Sequence, residues 1–255
     1  MTRPRHTLIT GATGALGGAL AREHAARGDR LTLQGRRPAA LARIAAECQG
    51  LGSEVTTQAV DLAAPEALAE WLAVQATDPP ERLIASAGLN AHPAGDTILE
   101  ADADSAAILE VNLRAPLQLI RTLAPAMADR GRGEILLISS LAAWHGLAVA
   151  PTYSATKAAL KAYGEALAGR LRPHGVAVTV VMPGYFDSPM ARAMPGPHPA
   201  MQSPETAARH VRRAADRQRL MIAFPQPLAM GCRWLGLAPR AISHRILRLL
   251  GYAPR

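Results

Sequence analysis

The stretch Thr10-Gly11-Ala12-Thr13-Gly14-Ala15-Leu16-Gly17 decides how this chain is read. It follows a short apolar run at residues 7–10 and opens an amphipathic helical pattern at 15–27. A backbone that bends sharply out of a strand and closely approaches a pyrophosphate has no room for β-carbons at the contact points. The helix that follows offers free N–H groups and the positive end of its dipole to the phosphates. Glycines also make plain turns, but a position between a strand and a helix near the chain start is the context a dinucleotide site requires.

Working outward, apolar runs at 30–34, 54–60, 82–86, 133–139, 177–182 and 220–224 alternate with helical patterns at 39–48, 65–76, 105–129 and 153–172. Strands separated by helices need crossover connections, which imply a parallel sheet covered on both faces. The expected fold is α/β, a doubly wound, Rossmann-like parallel sheet of about seven strands. Residues 1–224 read as one dinucleotide-binding and catalytic domain, with a Pro-, Gly- and Met-rich flap at about 184–204. Residues 225–255 read as a helical extension of the same domain, amphipathic from Ile242 onward.

Composition narrows the classes. Of 255 residues, 49% are hydrophobic and 19% charged, enough to bury a large core and too apolar for disorder. Aromatics are only 4%, so small and branched aliphatic side chains must fill that core. The formal charge of +8 comes from 26 Arg and 2 Lys, scattered without a block of five like charges. That pattern argues against a nucleic-acid partner and for solvated surfaces, with an anionic cofactor or an acidic membrane surface as the alternatives. Cys48 and Cys232 make neither a disulfide framework nor a metal cluster. Residues 1–6 leave no room for a signal-peptide core, and no window holds eighteen consecutive apolar residues. A cytoplasmic setting is expected.

The second strand ends in Leu33-Gln34-Gly35-Arg36-Arg37. In dinucleotide folds an acid near this place receives the adenosine ribose 2′-hydroxyl, and an Arg accommodates a 2′-phosphate. Arg36 and Arg37, with no acid beside them, favour NADP(H) over NAD(H); the plainer alternative is two surface arginines before a helix. Asp61, after the third strand, either accepts a hydrogen bond from an adenine amino group or caps the helix beginning near Pro65.

Tyr153-Ser154-Ala155-Thr156-Lys157 opens the strongest helical stretch. Residues four apart share a helical face, so a phenol and an ammonium point into one space. A phenol titrates near ~10. A fixed cation beside it is expected to bring that value towards the working range. Four tyrosines and two lysines in 255 residues give this spacing by chance only about 0.03 times. Ser140 closes the fifth strand, at the sheet edge where open α/β folds place ligands. It is either a donor to a substrate oxygen or a turn serine.

Taken together these segments resemble the compact branch of the short-chain dehydrogenase/reductase family, from about Thr7 to Met190. The parts recur in order: the turn at 10–17, Asp61, Ala87-Gly88, Asn112, Ser140, Tyr153 with Lys157, and Pro183-Gly184 leading to Ser188. The resemblance implies an oxidoreductase that moves a hydride between nicotinamide and a carbonyl or secondary alcohol. Tyr153 is then the general acid in reduction, and Lys157 holds the nicotinamide ribose and lowers the phenol pKa. Ser140 orients the carbonyl, and Asn112 holds a water in the proton relay. The cofactor set it implies is Gly11, Thr13, Gly14, Ala15, Leu16, Gly17, Arg36, Arg37, Asp61, Leu62, Ala87, Gly88, Tyr153, Lys157, Pro183, Gly184 and Ser188; no metal is implied. Two departures stand out: Ala85-Ser86 replaces a pair of asparagines that braces the sheet, and Ala15 stands where glycine is common.

Trp144, His145, Leu147, Tyr185, Phe186, Met190 and Met194 make an apolar set after the reacting groups, suited to a lipophilic ketone or alcohol. His145 reads as a pocket-rim or solvated residue rather than an acid. The extension from 225 is expected to pack over the active site or against a second subunit, giving a homodimer or homotetramer. Its alternative is peripheral contact with the inner face of a membrane, through Arg233, Arg240, Arg245 and Arg248 around Trp234. The competing function is an NADP(H)-binding sensor or scaffold with little catalysis.

Overall fold

The computed structural model describes residues 4–93 and 97–252. The outermost ends of the expected domain and of its extension, at 1–3 and 253–255, lie outside the described residues.

Along the chain run β1 (His6–Thr10), α1 (Ala15–Ala25), β2 (Arg30–Gly35), α2 (Pro38–Gly50), β3 (Val55–Ala59), α3 (Pro65–Gln75) and β4 (Arg82–Ala85). Then come α4 (Asp102–Leu109), α5 (Ala115–Asp129), β5 (Gly133–Ile138), α6 (Pro151–Leu171), β6 (Val176–Pro183) and α7 (Pro189–Ala193). The chain closes with α8 (Pro204–Asp216), β7 (Met221–Phe224), α9 (Gln226–Leu237) and α10 (Arg240–Leu249). The strands form one seven-stranded sheet in the order β3-β2-β1-β4-β5-β6-β7. Every pairing is parallel. This is the doubly wound α/β fold expected from the sequence.

Both sheet faces are buried, which is why the strands read as continuous apolar runs rather than alternating ones. Side chains on one strand point alternately to the two faces. Ile9, Leu136 and Ile138 join Leu16 and Leu20 of α1 and Val211 of α8 on one face. Leu8, Ile135 and Leu137 join Leu119 and Leu123 of α5 and Leu160 of α6 on the other. At the amino ends of the strands, buried Arg82 pairs with Asp29 at 3.1 Å and with Glu134 at 2.8 Å. Burial pushes the Asp29 carboxyl up, but hydrogen bonds from His24 and Thr7 and the charge of Arg82 outweigh it and hold it below the usual range.

The strand order reverses between β1 and β4. The loops leaving their carboxyl ends diverge there, and open α/β sheets bind ligands in that crevice.

Two differences from the sequence reading matter for the site. The single helix expected at 105–129 is interrupted by a π-helical turn, Glu110–Arg114, between α4 and α5. Such one-turn bulges re-aim a side chain, and here the turn carries Asn112, fully buried. The flap at 184–204 is not featureless: it holds α7, and Asp187 N–H donates to the Gln202 carbonyl at 2.9 Å. Among the described residues no helix is long and apolar enough to cross a membrane.

Candidate active site

The crevice holds a cavity of about 490 Å³ along the carboxyl ends of the central strands. One end of it is the loop between β1 and α1. Gly11 has φ +66°, and a β-carbon there would sit 2.7 Å from the Ala87 backbone. A β-carbon on Gly17 would sit 2.2 Å from the Gly11 carbonyl oxygen. Glycine is therefore required at both places, to turn the chain and to let α1 begin against the turn. Gly14 is the N-cap of α1; no side chain caps that helix and no acid lies in its first turn. Its amide groups are left to whatever anion the cavity takes.

Gln34, passed over in the sequence reading, fixes this turn. Its side-chain oxygen accepts from Gly11 N–H at 3.0 Å, and its amide donates to the Val60 carbonyl at 2.7 Å. A glutamine at the end of a buried strand, beside Leu31 and Leu33, is the signal that could have found it. Thr10 plays a matching part: its hydroxyl oxygen accepts from Ser86 N–H at 3.1 Å and Ala87 N–H at 3.2 Å. Bracing expected from a pair of asparagine amides comes instead from this threonine.

Arg36 and Arg37 line the cavity from the end of β2, both exposed. Arg37 also reaches the Thr13 carbonyl at 3.3 Å. Asp61 lines the cavity too, and its carboxylate accepts from Ala63 N–H at 3.0 Å. It does not cap α3, whose N-cap is Ala64 with no side-chain cap. That part of the expectation is corrected: the acid turns back on its own loop before the helix begins. Thr13, Ala15, Leu16, Leu62, Ala87, Gly88, Pro183, Gly184 and Ser188 line the cavity as well. Ser188 in addition caps α7, accepting from Ala191 N–H at 3.1 Å.

Tyr153 and Lys157 project from the first turns of α6 into the cavity, facing Ser140 at the end of β5. Lys157 Nζ lies 5.5 Å from the centre of the Tyr153 ring and donates to the Ile138 carbonyl at 2.8 Å. Ser139 anchors the helix from the same strand end, its hydroxyl donating to the Lys157 carbonyl at 2.8 Å. Ser140 accepts from Ala142 N–H at 3.1 Å. It is thus both the cap of a short 3₁₀ turn, Leu141–Ala143, and a hydroxyl facing the phenol.

The electrostatics differ from the sequence expectation. Burial raises the Tyr153 phenol above its ordinary value, and the Ser140 hydroxyl works against that rise. Burial pushes the Lys157 ammonium down to about 8. With a pKa of about 8 the lysine is still mostly charged at neutral pH, but burial of the phenol outweighs its neighbours and the net shift is upward. The pair instead keeps its proton on the phenol at neutral pH.

Asn112 does not reach the cavity. Its side chain accepts from Leu89 N–H at 2.7 Å and donates to the Leu89 carbonyl at 2.8 Å. A third, longer contact of 3.3 Å runs to the Thr156 hydroxyl on α6. The π-helical turn aims it there, tying the loop after β4 to the helix that carries Tyr153.

A second cavity of about 170 Å³ opens from Ser140 and Tyr153 away from the glycine turn. His145, Leu147, Tyr185, Phe186, Met190 and Met194 line it as expected. Trp144 does not; it packs with Leu141 and Ala229 between the 3₁₀ turn and α9. His145 is neither rim nor solvated but 9% exposed, a correction of the sequence reading. The remaining wall comes from Leu228, Cys232 and Leu235 of α9, and Leu247, Leu250 and Tyr252 at the chain end. The extension therefore packs over the active site. Tyr252 donates from its hydroxyl to the Pro197 carbonyl, fastening the end of the chain to the flap.

Fold and cavity define an α/β protein built to bind a dinucleotide beside a tyrosine, a serine and a lysine. The sequence signature of the short chain dehydrogenases matches residues 5–196. An uncharacterized oxidoreductase of Myxococcus xanthus is 30% identical over 250 residues, covering 96% of this chain and 97% of that one. A short-chain dehydrogenase from Sphingobium yanoikuyae, solved with NADPH, superposes with a TM-score of 0.80 at 23% identity, covering 98% of each chain. A metagenomic short-chain oxidoreductase solved with NADP gives 0.73 at 29% identity, covering 86% of this chain and 95% of that one. The chain belongs to the short-chain dehydrogenase/reductase family and is an oxidoreductase.

Proposed function

We propose that the protein is an NADP(H)-dependent carbonyl reductase or alcohol dehydrogenase acting on a lipophilic substrate through Ser140, Tyr153 and Lys157. The observation that carries this is the convergence of the Ser140 hydroxyl and the Tyr153 phenol where the two cavities meet. The glycine turn, the open start of α1 and the arginines after β2 suit the phosphates of NADP(H). A solved relative at 29% identity holds NADP, which supports the same choice.

When bound, the cofactor supplies or accepts the hydride. The protein does the rest. Ser140 donates a hydrogen bond to the carbonyl oxygen and stabilises charge gathering there. Tyr153 gives its proton to that oxygen in reduction and takes it back in oxidation. Lys157, as the ammonium, would hold the nicotinamide ribose when the cofactor binds. Asn112 keeps the loop after β4 in register with α6, so that the cofactor wall and the acid move together.

A panel of aliphatic, aromatic and sugar carbonyls, followed by the loss of NADPH absorbance, tests the function. Turnover is expected for apolar ketones, and a preference for charged, polyhydroxylated compounds would overturn the lipophilic reading. The pH profile follows from the site. For NADPH, kcat/KM reports the groups of the cofactor-free protein. With Lys157 pushed down to about 8, the ammonium is complete below that pH and lost above it. We expect kcat/KM for NADPH to be flat from neutral pH to about 8 and then to fall about tenfold per pH unit. A profile that rises through this range would contradict the role given to Lys157.

The outer faces of α9 and α10 carry exposed Met230, Trp234, Leu237, Ile242 and Leu249. Arg233, Arg240, Arg245 and Arg248 lie among them, also exposed. That combination supports a contact surface for a second copy or for an anionic membrane. Sedimentation velocity, with and without anionic vesicles, distinguishes the two. Trp234→Glu is expected to abolish whichever association is seen, and an unchanged profile would remove the surface from consideration.

A further inference from the structure

The net charge of +8 is unevenly placed along the chain. Residues 225–255 hold five arginines and no acid, whereas residues 1–224 hold 23 basic and 20 acidic side chains. Exposed Arg27, Arg114 and Arg192 each meet a carboxylate. Arg233, Arg240, Arg245 and Arg248 are exposed as well, but none of them forms an ion pair among the described residues. Apolar side chains run beside them. Met230, Trp234 and Leu237 recur at helical spacing along α9 and are 69%, 58% and 80% exposed. Ile242 and Leu249, two turns apart on α10, are exposed too. The opposite sides of the same helices wall the smaller cavity through Leu228, Leu235 and Leu247. Both apolar stripes therefore point away from the cavity that the two helices cover. Leu250 belongs to both surfaces: it lines that cavity and is 47% exposed.

Charge decides between the two occupants of this face. A two-fold contact sets the same patch of both copies together. Here that brings unpaired arginines against one another, with no acid in the segment to receive them. An anionic bilayer supplies the missing charge from its headgroups and takes the apolar stripes into the acyl boundary. Tryptophan beside arginine is the pairing that suits such an interface. We propose that the outer face of α9 and α10 seats in an anionic bilayer, and that the smaller cavity is loaded from it. The substrate is then a carbonyl compound or alcohol dissolved in the membrane. The loading follows from the two-sided helices: the wall that meets lipid outside is the wall that meets substrate inside, and Leu250 joins the two. This rests on the proposed carbonyl chemistry for what reacts; the seat on the bilayer stands without it.

The test uses the full chain with two kinds of vesicle, phosphatidylcholine alone and phosphatidylcholine mixed with phosphatidylglycerol. Wild type is expected to float with the mixed vesicles, to stay behind with the neutral ones, and to be released by salt. Two double variants separate the contributions: Arg233→Gln with Arg245→Gln, and Leu237→Glu with Leu249→Glu. Each should lower partitioning by at least about tenfold, and NADPH binding reports that each is folded. Loading is read from reduction of 2-dodecanone, a ketone that enters bilayers. Neutral vesicles withdraw it from water and should suppress turnover, whereas mixed vesicles should sustain turnover by wild type but not by the variants. Absence of flotation, equal flotation on both kinds of vesicle, or flotation that survives both double variants overturns the inference. So does equal suppression of 2-dodecanone turnover by the two kinds, or turnover confined to water-soluble carbonyls. Dimers that the leucine variant dissolves, seen without flotation, assign the face to a second copy and overturn it as well. Flotation as expected without turnover of any carbonyl overturns the carbonyl chemistry and leaves the seat on the bilayer standing.

Discussion

Tyr153→Phe is expected to lower kcat for carbonyl reduction by about 10²–10⁴-fold, the range that a positioned general acid supplies. The ring fills the same space, so the loss isolates the hydroxyl. That hydroxyl faces the two cavities and hydrogen-bonds with Ser140, and losing one hydrogen bond of this kind costs only about 0.5–1.5 kcal/mol of stability. The melting temperature should therefore move by a few degrees at most, and NADPH should still bind. Because the missing interaction is made in the transition state, kcat and kcat/KM should fall together. The pH dependence of each direction follows from the electrostatics. Burial raises the phenol pKa, so at neutral pH the group holds its proton and is poised as an acid. The phenol can therefore serve as the acid of reduction throughout the neutral range, and alcohol oxidation, which needs the phenolate, should have the higher pH optimum. Steady-state rates in both directions, read at 340 nm, check the point; turnover that survives without the phenol removes Tyr153 from the mechanism.

The sheet and the juxtaposition of Tyr153 with Lys157 were legible in the sequence because both depend on short-range spacing. A parallel strand buried on two faces needs an unbroken apolar run, and Thr7 through Thr10 or Ile135 through Ile138 can be read directly. Tyr153 and Lys157 share a helical face at any four-residue separation. What stayed hidden depends on contacts between distant segments. Asn112 sits in a pattern that looks helical throughout; only its grip on Leu89, twenty-three residues earlier, calls for a π-helical turn. Gln34 looks like one more strand residue until its amide is seen spanning Gly11 and Val60. The direction of the Tyr153 shift was misread for a related reason. Spacing brings a cation close, but only packing reveals how strongly burial disfavours the phenolate. His145 looked solvated because the ring set edge-on to it at 6.0 Å, His244, belongs to α10, remote in sequence.

Arg36→Asp carries the second large expected effect, on the choice of cofactor. A 2′-phosphate at the end of β2 gains charge-assisted hydrogen bonds from an arginine, each worth about 1.5–3 kcal/mol. Arg36 is exposed, so screening places it towards the lower figure. Aspartate does more than remove that attraction. It repels the phosphate and offers an acceptor to the 2′-hydroxyl of NAD(H). The two changes act in opposite directions on the two cofactors, so their ratio is the sensitive quantity. We expect the Kd for NADPH to rise by about 10²-fold while that for NADH holds or falls, inverting the preference. Arg36 is a cleaner position than Arg37, whose guanidinium also donates to the Thr13 carbonyl at 3.3 Å. Replacing Arg37 would disturb the glycine turn and weaken both cofactors at once. Salt supplies an independent check. NADPH binding by wild type should weaken with ionic strength more steeply than NADH binding, and Arg36→Asp should abolish the difference. Fluorescence titrations of both cofactors at two salt concentrations measure it; equal losses for NADPH and NADH would assign Arg36 to the surface and reopen the cofactor.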